Sequence, residues 1–92
     1  MTPRTAIITG GTTGIGLACA RSLIERGHRV AIGARRAGDT AVQAEVRSAV
    51  GDSVMLAALD VADRASVDGF VAQVAEALGA PTILVNAAGI YQ

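Results

Sequence analysis

The sequence predicts an α/β fold with a doubly wound parallel sheet, in which helices cover both faces of one sheet. Two observations support this prediction. Apolar runs of strand length alternate along the chain with longer stretches of helical periodicity. In addition, 51% of the 92 residues are hydrophobic and only 2% are aromatic, so the apolar mass is mainly Ala, Val, Ile and Leu. This composition is typical of parallel strands buried between helical layers.

The first half of the chain contains two strand–helix units. We expect the first helix to end at Gly27 and the second at Gly51, because glycine readily adopts the positive φ that follows a helix. Asp39 or Thr40 supplies the N-cap of the second helix. The predicted elements are a strand at Thr5–Thr9, a helix at about 14–26, a strand at Arg29–Ala34 and a helix at about 39–50.

The pattern in the second half of the chain predicts a strand at 53–60, a third helix and a strand at about 82–87. Asp63 can cap the third helix, Gly79 closes it and Pro81 prevents its continuation. Apolar residues recur along this helix at the spacing of a single face that points to the core. They are Val67, Phe70, Val71, Val74 and Leu78.

The elements therefore follow one another as β-α-β-α-β-α-β within a single domain that takes up residues 1–92. Right-handed crossovers turn this succession into a parallel sheet with the strand order 3-2-1-4. Such a sheet is the N-terminal half of a doubly wound fold. The apolar segment Ile83-Leu84-Val85 would then lie on a sheet edge, which is a hazard for self-association.

Composition makes several classes of partner improbable. The formal net charge is zero, all eight basic residues are arginines and aromatic residues are scarce, which disfavours nucleic acid as a partner. No apolar run approaches the roughly 18 residues that a membrane span requires.

Cys19 has no second cysteine to pair with, so we expect a reducing, cytoplasmic setting. No His, Cys and Asp cluster has the spacing of a metal site.

A glycine-rich turn joins the first strand to the first helix. In this geometry a nucleotide pyrophosphate is bound by backbone N–H groups, and side chains must stay clear of it. Gly10 permits the sharp turn, Gly14 lets the backbone approach the phosphate, and Gly16 lets the helix pack close to the strand. The hydroxyls of Thr12 and Thr13 can add hydrogen bonds. An ordinary tight turn is the alternative interpretation, since glycine-rich turns alone are weak indicators.

The pattern Thr9-Gly10-x-x-x-Gly14-Ile15-Gly16 resembles the cofactor fingerprint of the short-chain dehydrogenase/reductase family, whose domain is of the Rossmann type. Asp60-Val61 is similar to the family pair that contacts the adenine. Asn86-Ala87-Ala88-Gly89 resembles the family's Asn-Asn-Ala-Gly beside the nicotinamide ribose, except that Ala87 replaces an asparagine. Taken alone, each of these residues has a simpler structural interpretation that would be preferred, Asp60 as a strand-end cap and Asn86 as a turn former.

The end of the second strand indicates which cofactor is bound. Folds that prefer NAD place an acidic residue there to bind the ribose 2′-OH, and that carboxylate repels a 2′-phosphate. This chain has Ala34 at that place, followed by Arg35 and Arg36, whose guanidinium groups suit a phosphate. We therefore expect NADP rather than NAD. Two considerations weigh against this: either arginine can be a solvated loop residue, and Thr13 stands where many NADP-preferring relatives carry a basic residue.

The resemblance implies an NADP-dependent oxidoreductase that transfers hydride to or from a small carbonyl or alcohol, such as a 3-oxoacyl thioester, sugar or polyol. Such enzymes use a Ser and a Tyr-x-x-x-Lys, but Tyr91 is the sole tyrosine and no lysine is present, so no catalytic residue is assigned. We expect the N-terminal part of a longer, homo-oligomeric reductase, which alone is inactive and marginally stable. A noncatalytic NADP(H)-binding module or half of a split reductase is the alternative. A methyltransferase-type domain fits less well, because it normally has an acid where Ala34 stands.

Overall fold

A computed structural model describes residues 3–10, 12 and 14–87 of the chain. Within them, strands and helices alternate as predicted. The elements are β1 (Thr5–Thr9), α1 (Gly14–Glu25), β2 (Arg29–Ala34), α2 (Thr40–Val50), β3 (Met55–Ala58), α3 (Arg64–Leu78) and β4 (Pro81–Asn86).

The four strands form one parallel sheet in the order β3-β2-β1-β4, which confirms the predicted order. β1 lies in the centre, where Ile7 pairs with Ala31 of β2 on one side and with Leu84 of β4 on the other. Because all strands run in the same direction, their carboxyl ends lie along a single edge of the sheet. That edge is where ligands bind in open α/β folds.

The bounds of two strands, β3 and β4, differ from the prediction at both ends. β3 covers Met55–Ala58 rather than 53–60, since residues 52 and 53 form a turn and the N–H of Asp60 donates to Ser66 Oγ instead of the sheet. β4 begins at Pro81 and ends at Asn86, one residue earlier than predicted at each end. Pro81 is tolerated at this first strand position because it pairs there with Thr5 at a register irregularity.

The core has two parts, one on each face of the sheet. α1 and α2 cover the face that carries Ile8 and Ile32, both fully buried. α3 covers the opposite face, where Ile7 packs with Phe70 and Val74. This division follows from the alternation of side chains along each strand.

The ends of the helices agree with the sequence signals. Gly27, Gly51 and Gly79 follow the three helices with φ of 88°, 98° and 102°. Asp63 caps α3, since its carboxylate accepts hydrogen bonds from the N–H groups of Ala65 and Ser66. Among the described residues, no helix combines the length and the apolar character of a membrane span.

One residue of the predicted apolar stripe does not face the core. Phe70 and Val74 are buried on α3, and Val67 packs against them, but Val71 is 39% exposed. It lines an open groove beside Leu84 of β4, which is 71% exposed. The prediction that all five stripe residues are core residues was therefore wrong for Val71, because the groove between α3 and β4 is open to solvent.

Candidate functional site

The turn after β1 has the backbone that its glycines predict. Gly10 has φ of 74° and Gly14 has φ of 60°, values that other residues rarely adopt. The N–H of Gly10 donates to the carbonyl of Gly33 at 2.8 Å, which attaches the turn to the end of β2. The predicted site residues Thr13, Ala88 and Gly89 lie outside the described residues.

Helix α1 begins within this turn. Gly14 and Ile15 are exposed in its first turn, Gly16 is buried, and Thr12 is half-buried just before it. The first turn of α1 contains no acidic residue. Its free backbone N–H groups and the positive end of the helix dipole therefore favour an anion at this end of the helix.

Arg35 and Asp60 face each other across the ends of β2 and β3. Arg35 Nη2 lies 3.9 Å from Asp60 Oδ1, and the two side chains are 79% and 48% exposed. An ion pair with this exposure contributes at most about 1 kcal/mol. The guanidinium of Arg35 is therefore only loosely held and remains open to another anion.

Arg36 has a different partner. Its Nε donates to Asp39 Oδ2 at 3.1 Å, an i,i+3 pair that precedes α2. Asp39 occupies the N-cap position of α2, yet its side chain makes no capping hydrogen bond. The two neighbouring arginines thus belong to separate local contacts.

The Asp60 side chain is held in place by its own loop. Its Oδ1 accepts a hydrogen bond from the N–H of Ala62 at 3.0 Å, and its backbone N–H donates to Ser66 Oγ at 3.1 Å. This is an Asx turn, so the strand-end cap considered from the sequence is present. The same carboxylate remains half-exposed beside Arg35, so capping the turn does not prevent it from contacting a ligand.

A cavity of about 260 Å³ lies between the glycine turn and this loop. Its floor includes Gly33 and Leu59, which the sequence reasoning did not assign to the site. A glycine inside a strand is a signal for a close approach, and it could have identified Gly33. The cavity is lined by Gly10, Gly33, Ala34, Arg35, Leu59 and Val61.

Asn86 lies at the end of β4 and contacts the central strand. The hydroxyl of Thr9 donates to Asn86 Oδ1 at 2.9 Å, and the N–H of Ala87 donates to the carbonyl of Thr9 at 3.0 Å. Thr9 is part of the fingerprint pattern, and its contact with Asn86 could not be predicted from that pattern. These contacts attach the end of β4 to β1 on the same edge of the sheet as the glycine turn.

His28 and Cys19 lie apart from this site. His28 lies at the opposite edge of the sheet, where its Nδ1 accepts a hydrogen bond from the N–H of Arg4 at 3.0 Å. Cys19 is half-buried on α1 and packs against the core. Within residues 3–10, 12 and 14–87, no three His, Cys, Asp or Glu side chains are grouped as metal ligands would be.

The chain is similar to known proteins over nearly its whole length. A family model described as short chain dehydrogenase matches residues 4–92. The NADPH-dependent pterin aldehyde reductase of Arabidopsis thaliana is 40% identical over 88 residues, which are 94% of this chain and 35% of that protein.

Two solved structures have the same fold. A variant of actinorhodin polyketide ketoreductase with NADPH matches with a TM-score of 0.78 and 36% identity, covering 91% of this chain and 32% of that one. The 3-ketoacyl-(acyl-carrier-protein) reductase of Brucella melitensis, complexed with NADH, matches with a TM-score of 0.75 and 31% identity, covering 88% and 32%. The chain thus spans about a third of the length of these relatives.

Proposed function

This chain belongs to the short chain dehydrogenase family, and on that premise we propose that it binds NADP(H) for an oxidoreductase. The observation that carries the proposal is the exposed guanidinium of Arg35 at the rim of the cavity after β2. Ala34 precedes it where NAD-preferring folds place a carboxylate. A cation without that carboxylate favours the cofactor that carries a 2′-phosphate.

The described residues fit the parts of such a cofactor. The start of α1 suits the pyrophosphate, because Gly14 carries no side chain there and the N–H groups of the first helical turn have no partner within the helix. The cavity beside Leu59 and Val61 offers apolar contacts for an adenine, and the half-exposed carboxylate of Asp60 can accept a hydrogen bond from it. The chemistry that such a cofactor would supply is the donation or acceptance of a hydride by its nicotinamide.

The relatives support a nicotinamide cofactor more strongly than they support NADP. The pterin aldehyde reductase is named as NADPH-dependent and the actinorhodin ketoreductase was solved with NADPH, whereas the Brucella reductase was solved with NADH. The proposed preference therefore depends on Ala34, Arg35 and Arg36 in this chain.

Cofactor titration of Arg35→Ala tests the preference. We expect the Kd for NADP to rise about 10-fold, near the lower end of the range for a charge-assisted hydrogen bond, while the Kd for NAD stays unchanged. Arg21→Ala is the matched control, because it removes an equally charged, exposed side chain that pairs with Glu25 on α1. If Arg35→Ala binds NADP as tightly as the unaltered protein does, the proposal is wrong.

Hydride transfer to a small carbonyl or alcohol is a separate part of the proposal. It needs proton-transfer groups in addition to the cofactor-binding residues described above. We propose that the 92-residue chain binds the cofactor without turning it over. Loss of NADPH absorbance on adding carbonyl compounds to the chain would contradict this. Binding without turnover is also expected if the chain is a noncatalytic module or one half of a split reductase. A second polypeptide that restores activity when it is added to the chain would favour the split reductase over the noncatalytic module.

A further inference from the structure

We propose that Asp60 weakens the site's discrimination in favour of the 2′-phosphate by competing with it for Arg35. Asp60 is then a residue that sets cofactor specificity in addition to any contact that it makes with the adenine. The inference rests on the proposed function, since it presupposes that Arg35 receives the phosphate.

The geometry places a fixed carboxylate beside a loosely held cation. The Ala62 N–H holds Asp60 Oδ1 at 3.0 Å, and that same oxygen lies 3.9 Å from Arg35 Nη2. Among the described residues, Arg35 has no other hydrogen-bond or ion-pair partner. The carboxylate is therefore in place before any ligand arrives, and it attracts the same guanidinium that a 2′-phosphate would contact.

The negative charge of Asp60 has two opposing effects on phosphate binding. It draws Arg35 over a second cavity of about 230 Å³, lined by both side chains together with Ser66, which reduces the freedom of the guanidinium. It also competes for that guanidinium and repels a doubly charged phosphate that binds there.

The repulsion outweighs the ordering effect. Both side chains are substantially exposed, so the pair restrains Arg35 only weakly, whereas the repulsion acts on the whole charge of the phosphate. Removing the charge of Asp60 should therefore raise the preference for a 2′-phosphate by about three- to tenfold at low salt, and less at high salt.

The pair of Arg64 and Asp68 on α3 provides a matched control. It consists of the same two residue types, with both side chains exposed, and its 4.0 Å contact is an i,i+4 pair within one helix. Asp68→Asn removes one negative charge without changing the partner of Arg35 or that of Arg36.

The test compares two ligands that differ only in the 2′-phosphate, adenosine 2′,5′-bisphosphate and adenosine 5′-monophosphate. Calorimetric titration of the full chain gives the ratio of their Kd values, in which any common loss of adenine binding cancels. We expect Asp60→Asn to increase the preference for the bisphosphate about three- to tenfold and Asp68→Asn to change it less than about twofold. In an Arg35→Ala background, the competition for the guanidinium is absent, so Asp60→Asn should change the ratio less than it does in the unaltered chain, by the part that comes from direct repulsion.

The outcomes separate this inference from the proposed function. If Arg35→Ala lowers the preference but Asp60→Asn leaves it unchanged or lowers it, the role of Asp60 is overturned and the NADP proposal stands. If neither Arg35→Ala nor Asp60→Asn alters the ratio, both proposals are wrong. Circular dichroism checks that each variant is folded. Asp60→Ser, which keeps an oxygen for the Ala62 N–H, replaces Asp60→Asn if the latter does not fold and is judged by the same ratio.

Discussion

Arg35 and Arg36 are adjacent and chemically identical, but their surroundings differ. The Nε of Arg36 is hydrogen-bonded to Asp39 at 3.1 Å, whereas Arg35 Nη2 is 3.9 Å from its acidic neighbour. The sequence treats both as phosphate ligands. In the structure they differ, because Arg36 would have to break a hydrogen bond to Asp39 in order to bind a phosphate, whereas Arg35 is only loosely paired with Asp60.

We therefore expect Arg36→Ala to affect NADP binding less than Arg35→Ala does. The loss should be below about threefold for Arg36→Ala, because its guanidinium is already engaged by Asp39 and it does not line the cavity. Titration of both variants with NADP at the same ionic strength measures this difference. An equal loss in the two variants would show that both arginines reach the phosphate.

Gly33 is a second residue whose role depends on its surroundings. A Cβ at this position would lie 2.6 Å from Leu59 Cδ2 and 3.0 Å from Phe70 Cζ, both in the core beneath the cavity. We expect Gly33→Ala to lower the free energy of unfolding by about 1–3 kcal/mol, because the overpacked side chains must move.

Urea unfolding measures this change, with Gly38→Ala as the control. A Cβ at Gly38 would meet only Ala58 Cβ at 3.5 Å, an ordinary contact, so its unfolding midpoint should be unchanged or slightly higher. Similar midpoints for Gly33→Ala and the unaltered chain would mean that the floor of the cavity is loosely packed.

The start of α3 is capped by a side chain, whereas that of α2 is not. Asp63 Oδ1 accepts the N–H groups of Ala65 at 3.0 Å and Ser66 at 3.4 Å. Ser66 in turn accepts the N–H of Asp60, so the start of α3 also supports the loop that carries this candidate adenine contact. The cap of the helix and the shape of the site are therefore connected.

We expect Asp63→Ala to cost about 1 kcal/mol of stability through loss of this cap. Asp39→Ala at the corresponding position of α2 is the comparison, and it should cost less because that side chain makes no capping hydrogen bond. Thermal or urea unfolding of the two variants gives the difference. A larger loss for Asp39→Ala would contradict the assignment of the caps.

For the whole molecule, the two faces of the sheet are unequally covered at β4. Val85 packs against the core beneath α1, while Leu84 points to the α3 side and is 71% exposed. Leu84 shares a groove of about 390 Å³ with Ile7, Phe70 and Val71. The hazard predicted for the Ile83-Leu84-Val85 segment is thus concentrated at Leu84.

We expect Leu84→Ser to change the free energy of unfolding by less than about 0.5 kcal/mol and to reduce self-association. Val85→Ser, one residue along the same strand, should be clearly destabilising because its side chain packs on the core. Light scattering over a concentration series, together with urea unfolding, checks both expectations. Equal destabilisation by the two substitutions would show that the groove is closed in solution.

Local signals in the sequence were enough to predict the class and the order of the fold. Apolar runs, helical periodicity and the glycines after each helix each depend on a few neighbouring residues, and right-handed crossovers then leave one strand order. The glycine-rich turn was recognisable for the same reason. The end of β3 was not predicted correctly, because the hydrogen bond from the N–H of Asp60 to Ser66 Oγ competes with strand pairing.

The sequence by itself determined that a glycine turn, a cation after β2 and an acid after β3 would come to the same edge of a parallel sheet. Only the tertiary structure decided that Asp60 faces Arg35, that Gly33 and Leu59 form the cavity floor and that Val71 is exposed. These features depend on register and packing between residues far apart in the chain. A pattern within one segment carries no information about a distance between two segments.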